Sequence, residues 1–213
     1  MTTGIGNSPG RTSYRHGDLR RALIEAGVTL AQEGGPNAVV LREATRRVGV
    51  SPNAAYRHFA DRQALLDAVC SHCQALVARA IEADQARVPP TDSIESARLR
   101  FRAVGTGYLR FALEEPGQFQ TAFSASSDME SATSAARAGD SGFTPFQLLT
   151  LALDDLVAVG LLPAERRPAT EFLAWSAVHG LAELFIDGPL RALPDTVKQD
   201  LITRVVDMVE QGL

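Results

Sequence analysis

Between Leu41 and Leu66 the chain reads LREATRRVGVSPNAAYRHFADRQALL, an order of residues that neither a strand nor one continuous helix accommodates. Leu41, Ala44, Thr45 and Val48 recur at i, i+3, i+4 and i+7, the apolar-leaning face of a short helix. Gly49 follows that face, where a chain leaving a helix commonly takes positive φ. Ser51-Pro52 then starts a second helix, with a hydroxyl to cap it and a proline at its first position. That helix is expected over Pro52 to Phe59, and Asp61 is placed to cap the next, which opens at Arg62. Two short helices joined by a tight glycine turn form a helix-turn-helix, whose second helix fits the DNA major groove.

The segment VGVSPNAAYRHFADRQALL resembles the DNA-binding signature of the TetR family of transcriptional regulators, and the match extends from about Leu19 to Val69. The resemblance implies an all-α protein: an N-terminal three-helix helix-turn-helix domain, then a helical effector-binding and dimerisation domain. It also implies a regulator, most often a repressor, that binds a pseudo-palindromic operator as a dimer. Position by position, Arg42 is similar to the family's base-reading arginine. Pro52, Asn53, Ala54 and Arg57 fall on the exposed part of the recognition helix. There Asn53 suits an adenine edge and Ala54 a thymine methyl. Tyr56, His58 and Arg62 match positions that hold backbone phosphates, with a buried structural role as the alternative for His58. Two departures stand out. Val40 replaces the usual Thr or Ser cap, and Ala54-Ala55 replaces the usual Gly and larger apolar residue, so base preference does not carry over.

Net charge is −4 over 213 residues, which by itself argues against nucleic acid. Residues 1–60, however, hold eight arginines against four carboxylates, a surplus of four, while the remainder holds 13 basic against 21 acidic groups, a deficit of eight. A basic module on an acidic body is the asymmetry expected where one end meets phosphate. The polar N-terminus has no apolar core of a signal peptide and no run approaches a membrane span, so a cytoplasmic protein with no membrane partner is expected. Cys70 and Cys73 are the only cysteines, too few for a disulfide framework. With no second ligand pair they also suggest no metal site, and no cofactor is expected.

Three regions follow: a flexible arm at 1–16, the helix-turn-helix domain at 17–63, and the effector-binding and dimerisation domain at 64–213. The first helix is expected from Asp18 to Gln32 and ends at Gly34-Gly35-Pro36, with Gly27 marking a close approach to a neighbour. A fourth helix from Arg62 to about Arg87 belongs to both domains. The body adds helices at Asp92–Glu114 (Ile94, Phe101, Val104, Tyr108 and Phe111 inward), Pro116–Phe123, Thr144–Val159, 168–187 and 195–211, with a loop at Ser124–Ser141. Helix 168–187 is apolar on more than one face and 195–211 carries one broad apolar stripe, and the two are expected to form a four-helix homodimer interface.

Phe101, Tyr108, Phe111, Phe119, Phe123, Phe146, Trp175 and His179 suit an apolar pocket for a small effector, with Arg102, Gln118 and His179 as polar handles. The string Trp175 to Gly180 is similar to the Trp-x-x-x-His-Gly signature of one subgroup of the family. Two rival classes remain: a thiol or redox sensor through Cys70 and Cys73, and an all-helical enzyme using Ser176 with His179. No nucleophile elbow, phosphate loop or zincin motif supports the enzyme, so none is expected.

Overall fold

The computed structural model describes residues 16–124 and 131–213. The arm expected over 1–16 lies outside them except for its last residue, which belongs to the first helix. Among the described residues the chain is helical throughout: α1 (His16–Ala38), α2 (Leu41–Val48), α3 (Pro52–Tyr56), α4 (Arg62–Gln85), α5 (Ile94–Glu114), α6 (Pro116–Ala122), α7 (Pro145–Ala158), α8 (Thr170–Ile186) and α9 (Asp195–Gly212). The tract 131–137, expected as loop, contains two single 3-10 turns, Ser131–Thr133 and Ala135–Arg137.

Local signals account for most helix ends. Gly34 (φ −155°) and Gly35 (φ 66°) break α1 where Gly-Gly-Pro predicts a stop, leaving one further turn to Ala38. Val40 precedes α2 in extended conformation without a side-chain cap, and Gly49 leaves it at φ 75°. Asp61 caps α4 by accepting from the Ala64 N–H at 2.8 Å. Thr144 and Gln147 form both halves of a capping box at the start of α7. Three expectations shift. Ser51 makes no side-chain capping bond. α3 closes at Tyr56 rather than Phe59, where the His58 N–H takes the Ala55 carbonyl three residues back at 2.8 Å, a tighter turn than the α-helical bond to Ala54. That tight turn drops Phe59 into the core. Ile94 is 55% exposed, because it opens α5 before the buried face begins at Ser96 and Ala97.

The head packs Leu19, Leu23, Leu30 and Ala31 of α1 against Leu41, Ala44, Ala55 and Phe59, and closes on Leu65 and Val69 of α4. A methyl group on Gly27 would lie 2.5 Å from Val69 Cγ2, so the glycine sets the α1–α4 separation. α4 continues into the body with Val77, Ala78 and Ile81 buried on α5. By composition it is long and apolar enough to span a membrane, and 56% of its most apolar window is buried inside the protein. A helix shared by two cores has that composition because it lacks a fully solvated face. α4 and α5 come together at Gly107, where a Cβ would stand 2.8 Å from Ile81 Cα and 2.9 Å from the Ala80 carbonyl oxygen.

Those neighbours are backbone and cannot rotate aside, so Gly107→Ala should force α4 and α5 apart and cost about 1–3 kcal/mol, the usual range for overpacking. Chemical denaturation measures it; an unchanged midpoint would mean that the contact does not fix the spacing.

Candidate nucleic-acid interface and body pocket

α2 and α3 present a small basic surface whose arginines divide into two groups. Arg46 and Arg47 are engaged: Arg46 pairs with Glu43 at 2.6 Å, and Arg47 reaches Glu33 at 2.5 Å and Glu43 at 3.4 Å. The hydrogen bond from Arg46, reinforced by Arg47, lowers the Glu43 carboxyl to about 2. Arg42 and Arg57 are exposed and make no side-chain hydrogen bond or ion pair among the described residues. Pro52, Asn53 and Tyr56 are also exposed, Ala54 is half-buried against the head core, and His58 is half-buried. His58 and Arg57 line an open groove with Arg20, Arg21 and His72. The head therefore offers unpaired guanidinium groups beside an exposed Asn on a rigid turn, the side-chain types that meet base edges and phosphates.

Arg62 sits differently. Its Nε donates to the Val39 carbonyl at 2.9 Å and one terminal nitrogen to the Pro36 carbonyl at 2.6 Å. The side chain thus clamps the start of α4 to the α1–α2 connection, with three of its five N–H groups left for other partners.

In the body, five of the eight expected aromatics enclose one cavity: Phe101, Tyr108, Phe123, Phe146 and Trp175. Its volume is about 110 Å³ and its walls come from α4 to α9. Phe111, Phe119 and His179 do not line it. Phe111 and Phe119 are buried in the core, where Phe119 stands edge-on to Tyr108 with ring centroids 5.1 Å apart. His179 packs behind the wall, 5.0 Å from the Phe123 ring. Its Nδ1 lies 2.8 Å from the Tyr108 hydroxyl, which also accepts from the Trp175 indole N–H at 3.2 Å. Because the indole only donates, the phenol hydrogen is available for His179 Nδ1. Burial lowers the His179 pKa from 6.5, against the raising effect of Glu183, which favours the neutral imidazole that this bond requires. Burial also pushes the Tyr108 phenol up. The Trp-x-x-x-His-Gly string thus ties α8 to α5 through one buried hydroxyl.

The other expected handles also lie off the cavity wall. Arg102 pairs with Asp207 and Glu210 on α9, both at 2.6 Å, and Gln118 is buried outside the cavity. Two polar wall residues escaped the sequence reading: Gln74, mid-way along the apolar α4, and Arg137, in the tract read as a loop. Nothing in the helical pattern marks either one. The rival chemistries find little support. Cys70 Sγ donates to the Thr121 carbonyl at 2.8 Å, and burial pushes the Cys73 thiol up to about 12, far from the lowered values of reactive thiols. Ser176 donates to the Phe172 carbonyl at 2.6 Å, so it forms no dyad with His179. Among the described residues no cluster of His, Cys, Asp or Glu is arranged to hold a metal ion.

Residues 23–69 match the family profile described as bacterial regulatory proteins, tetR family, and residues 101–209 match the tetracyclin repressor-like C-terminal domain. No curated protein sequence matches the chain. Among solved structures, a protein of unknown function from Rhodococcus sp. RHA1 is 27% identical at a TM-score of 0.71, covering 95% of this chain and 99% of its own. A TetR-family transcriptional regulator from Pectobacterium atrosepticum is 20% identical at a TM-score of 0.64, covering 95% and 96%. The fatty acid degradation regulator FadR from Bacillus halodurans is 13% identical at a TM-score of 0.60, covering 91% and 98%.

Arg62→Ala should lower head stability by roughly 1–2 kcal/mol, since two backbone carbonyls lose a charged donor, whereas Arg42→Ala should leave stability unchanged. Thermal melting distinguishes them; equal midpoints would show that the Arg62 clamp carries no weight.

Proposed function

The chain belongs to the TetR family of bacterial regulatory proteins, ligand-responsive DNA-binding regulators of transcription, and on that premise we propose that it is a homodimeric repressor released from its operator by a small apolar effector. Each α3 enters one major groove. Arg42 reads a base edge, Pro52, Asn53, Ala54 and Arg57 face the groove, and Tyr56, His58 and the free donors of Arg62 hold phosphates. Dimerisation uses α8 and α9. Leu173 (71% exposed), Phe172 and Leu184 on α8, with Val197 and Met208 (60% exposed) on α9, form apolar surface that one protomer leaves uncovered. Gly180 has open space above it, so a second helix approaches there without obstruction. Two such dimer-related heads bind half-sites about 34–36 Å apart when these are one helical turn apart.

The observation that carries this reading is that two elements join the cavity to the head. α4 contributes Gln74 and Ile81 to the cavity wall and packs Leu65 and Val69 on α1. Phe123, at the end of α6, also lines the cavity, while Gly117 at its start meets the end of α1 so closely that a Cβ would stand 2.3 Å from the Ala31 carbonyl oxygen. Gln74 further donates to the Ala122 carbonyl at 2.8 Å, fastening the two elements together. At about 110 Å³ the cavity is smaller than the ~300 Å³ typical of the smallest ligand pockets. An effector of ordinary size therefore has to move these walls, and with them α1. Release from DNA requires that the effector bind the displaced arrangement better than the operator-competent one.

Selection from a random duplex library should recover a two-fold pseudo-palindrome, with affinity falling steeply as salt rises. Arg42→Ala should relax preference at one base position per half-site by about 1–3 kcal/mol. No enrichment by a folded dimer, with or without bound effector removed, would contradict the reading.

A further inference from the structure

The cavity wall is apolar except at a few places, and most of its polar groups are already satisfied within the protein. The Tyr108 hydroxyl and Trp175 indole N–H are bonded to each other, and the Gln74 amide nitrogen is bonded to the Ala122 carbonyl. Arg137 is the exception. It lines the same cavity and is only 9% exposed. Its Nε is buried without a hydrogen-bond partner, and its guanidinium makes no ion pair among the described residues. Arg110 offers a useful contrast. Its Nε is also unpartnered, but its terminal nitrogens pair with Asp84 and Glu114, both at 3.0 Å, so its charge is compensated.

Among the described residues, the carboxylate nearest to Arg137 in sequence and one on the helix that its turn packs against are both engaged elsewhere. Asp140 pairs with Arg79 at 2.8 Å, and Glu82 of α4 accepts from the Asp140 and Ser141 N–H groups at 2.9 and 3.0 Å. A guanidinium does not escape burial by losing its proton, and an uncompensated buried charge is costly. An apolar cavity with one guanidinium in its wall that no carboxylate among the described residues pairs therefore lacks one component, a planar anion that accepts from the fork in two places.

We infer that the effector is a small hydrophobic carboxylate, its apolar body held between Phe101, Phe146 and Trp175 and its carboxylate paired with Arg137. This rests on the body cavity being the effector site. Arg137 is fastened to α4 through its own 3-10 turn, which packs on that helix. A carboxylate drawing on Arg137 consequently acts next to an element that reaches the head. The same arrangement explains a preference for acids over equally apolar neutral molecules. A neutral ligand would enclose the guanidinium still further without pairing it.

Trp175 is the only tryptophan in the chain, and it lines the cavity, so its emission reports entry of a ligand. The full-length protein is titrated with benzoate, phenylacetate, hexanoate and octanoate, and with the primary amides and alcohols of the same skeletons. The expected result is carboxylate binding at least ~10-fold tighter than the best matched neutral probe. That preference disappears in Arg137→Gln, while the neutral probes bind as before, and part of it survives in Arg137→Lys. Arg137→Leu, read by thermal melting, raises the midpoint of the unliganded protein because a buried charge is removed, and it abolishes the rise that carboxylates produce in the parent. Equal affinity for acids and neutral probes, or a preference that persists in folded Arg137→Gln, overturns the anion assignment and leaves the cavity as an apolar effector site. If no probe perturbs Trp175 in the folded protein, the inference and the cavity reading fall together.

Discussion

α4 is buried twice over, and the rest of the molecule is arranged around that constraint. Its first turns complete the head core through Leu65 and Val69, and its later turns complete the body through Val77, Ala78 and Ile81. A helix held in two cores moves as a unit or not at all, because close-packed interiors resist continuous deformation. The two glycines that set its distances, Gly27 on the α1 side and Gly107 on the α5 side, leave no slack for sliding. Arg62 then ties the start of the helix to the carbonyls of Pro36 and Val39. A displacement imposed near Ile81 therefore has a mechanical path to the head, and α6 supplies a second one through Gly117.

The polar groups of the body divide along the same lines. Tyr108, Trp175 and His179 satisfy one another and lock α8 onto α5, so the signature string does architectural work behind the cavity. Arg102 locks α5 to α9 through Asp207 and Glu210. Both ties lie on the side of the proposed dimer helices. The opposite side, formed by the end of α6 and the turn of Arg137, is fastened to α4 instead, through Gln74 and the Ala122 carbonyl and through Glu82 and the Asp140 and Ser141 N–H groups. A ligand that displaces this second wall displaces α4 with it, and α4 leads to the head.

Much of this was legible in the chain because the signals are local. Gly34-Gly35, Gly49, Asp61 and the Thr144/Gln147 box act within a turn of their own position, and each stands where the sequence places it. The helix-turn-helix was legible for the same reason, and the family profiles agree with it. What failed depends on partners remote in sequence. Ile94 has apolar chemistry but no neighbour to bury it, and α3 ends early because Phe59 has to reach the core. Phe111, Phe119 and His179 share the cavity aromatics' helical spacing, so pattern alone did not separate wall from interior. Arg137 was hidden most deeply, as a cation in a Ser-, Ala- and Gly-rich tract whose significance comes only from the walls folded around it.

The central claim is that the state of the cavity sets the separation of the two heads. It is tested most directly by pulsed electron spin resonance between spin labels at an exposed head position, Asn37→Cys, in the dimer; Cys70 and Cys73 are both buried, and replacing them with Ser keeps the label at one site. The cavity is filled covalently by Ala174→Phe, a substitution in its wall, so no ligand has to be known. The account predicts a head-to-head distance distribution displaced from that of the parent, with operator affinity reduced in the same variant. An unchanged distribution in a folded dimer whose cavity is demonstrably filled would contradict it.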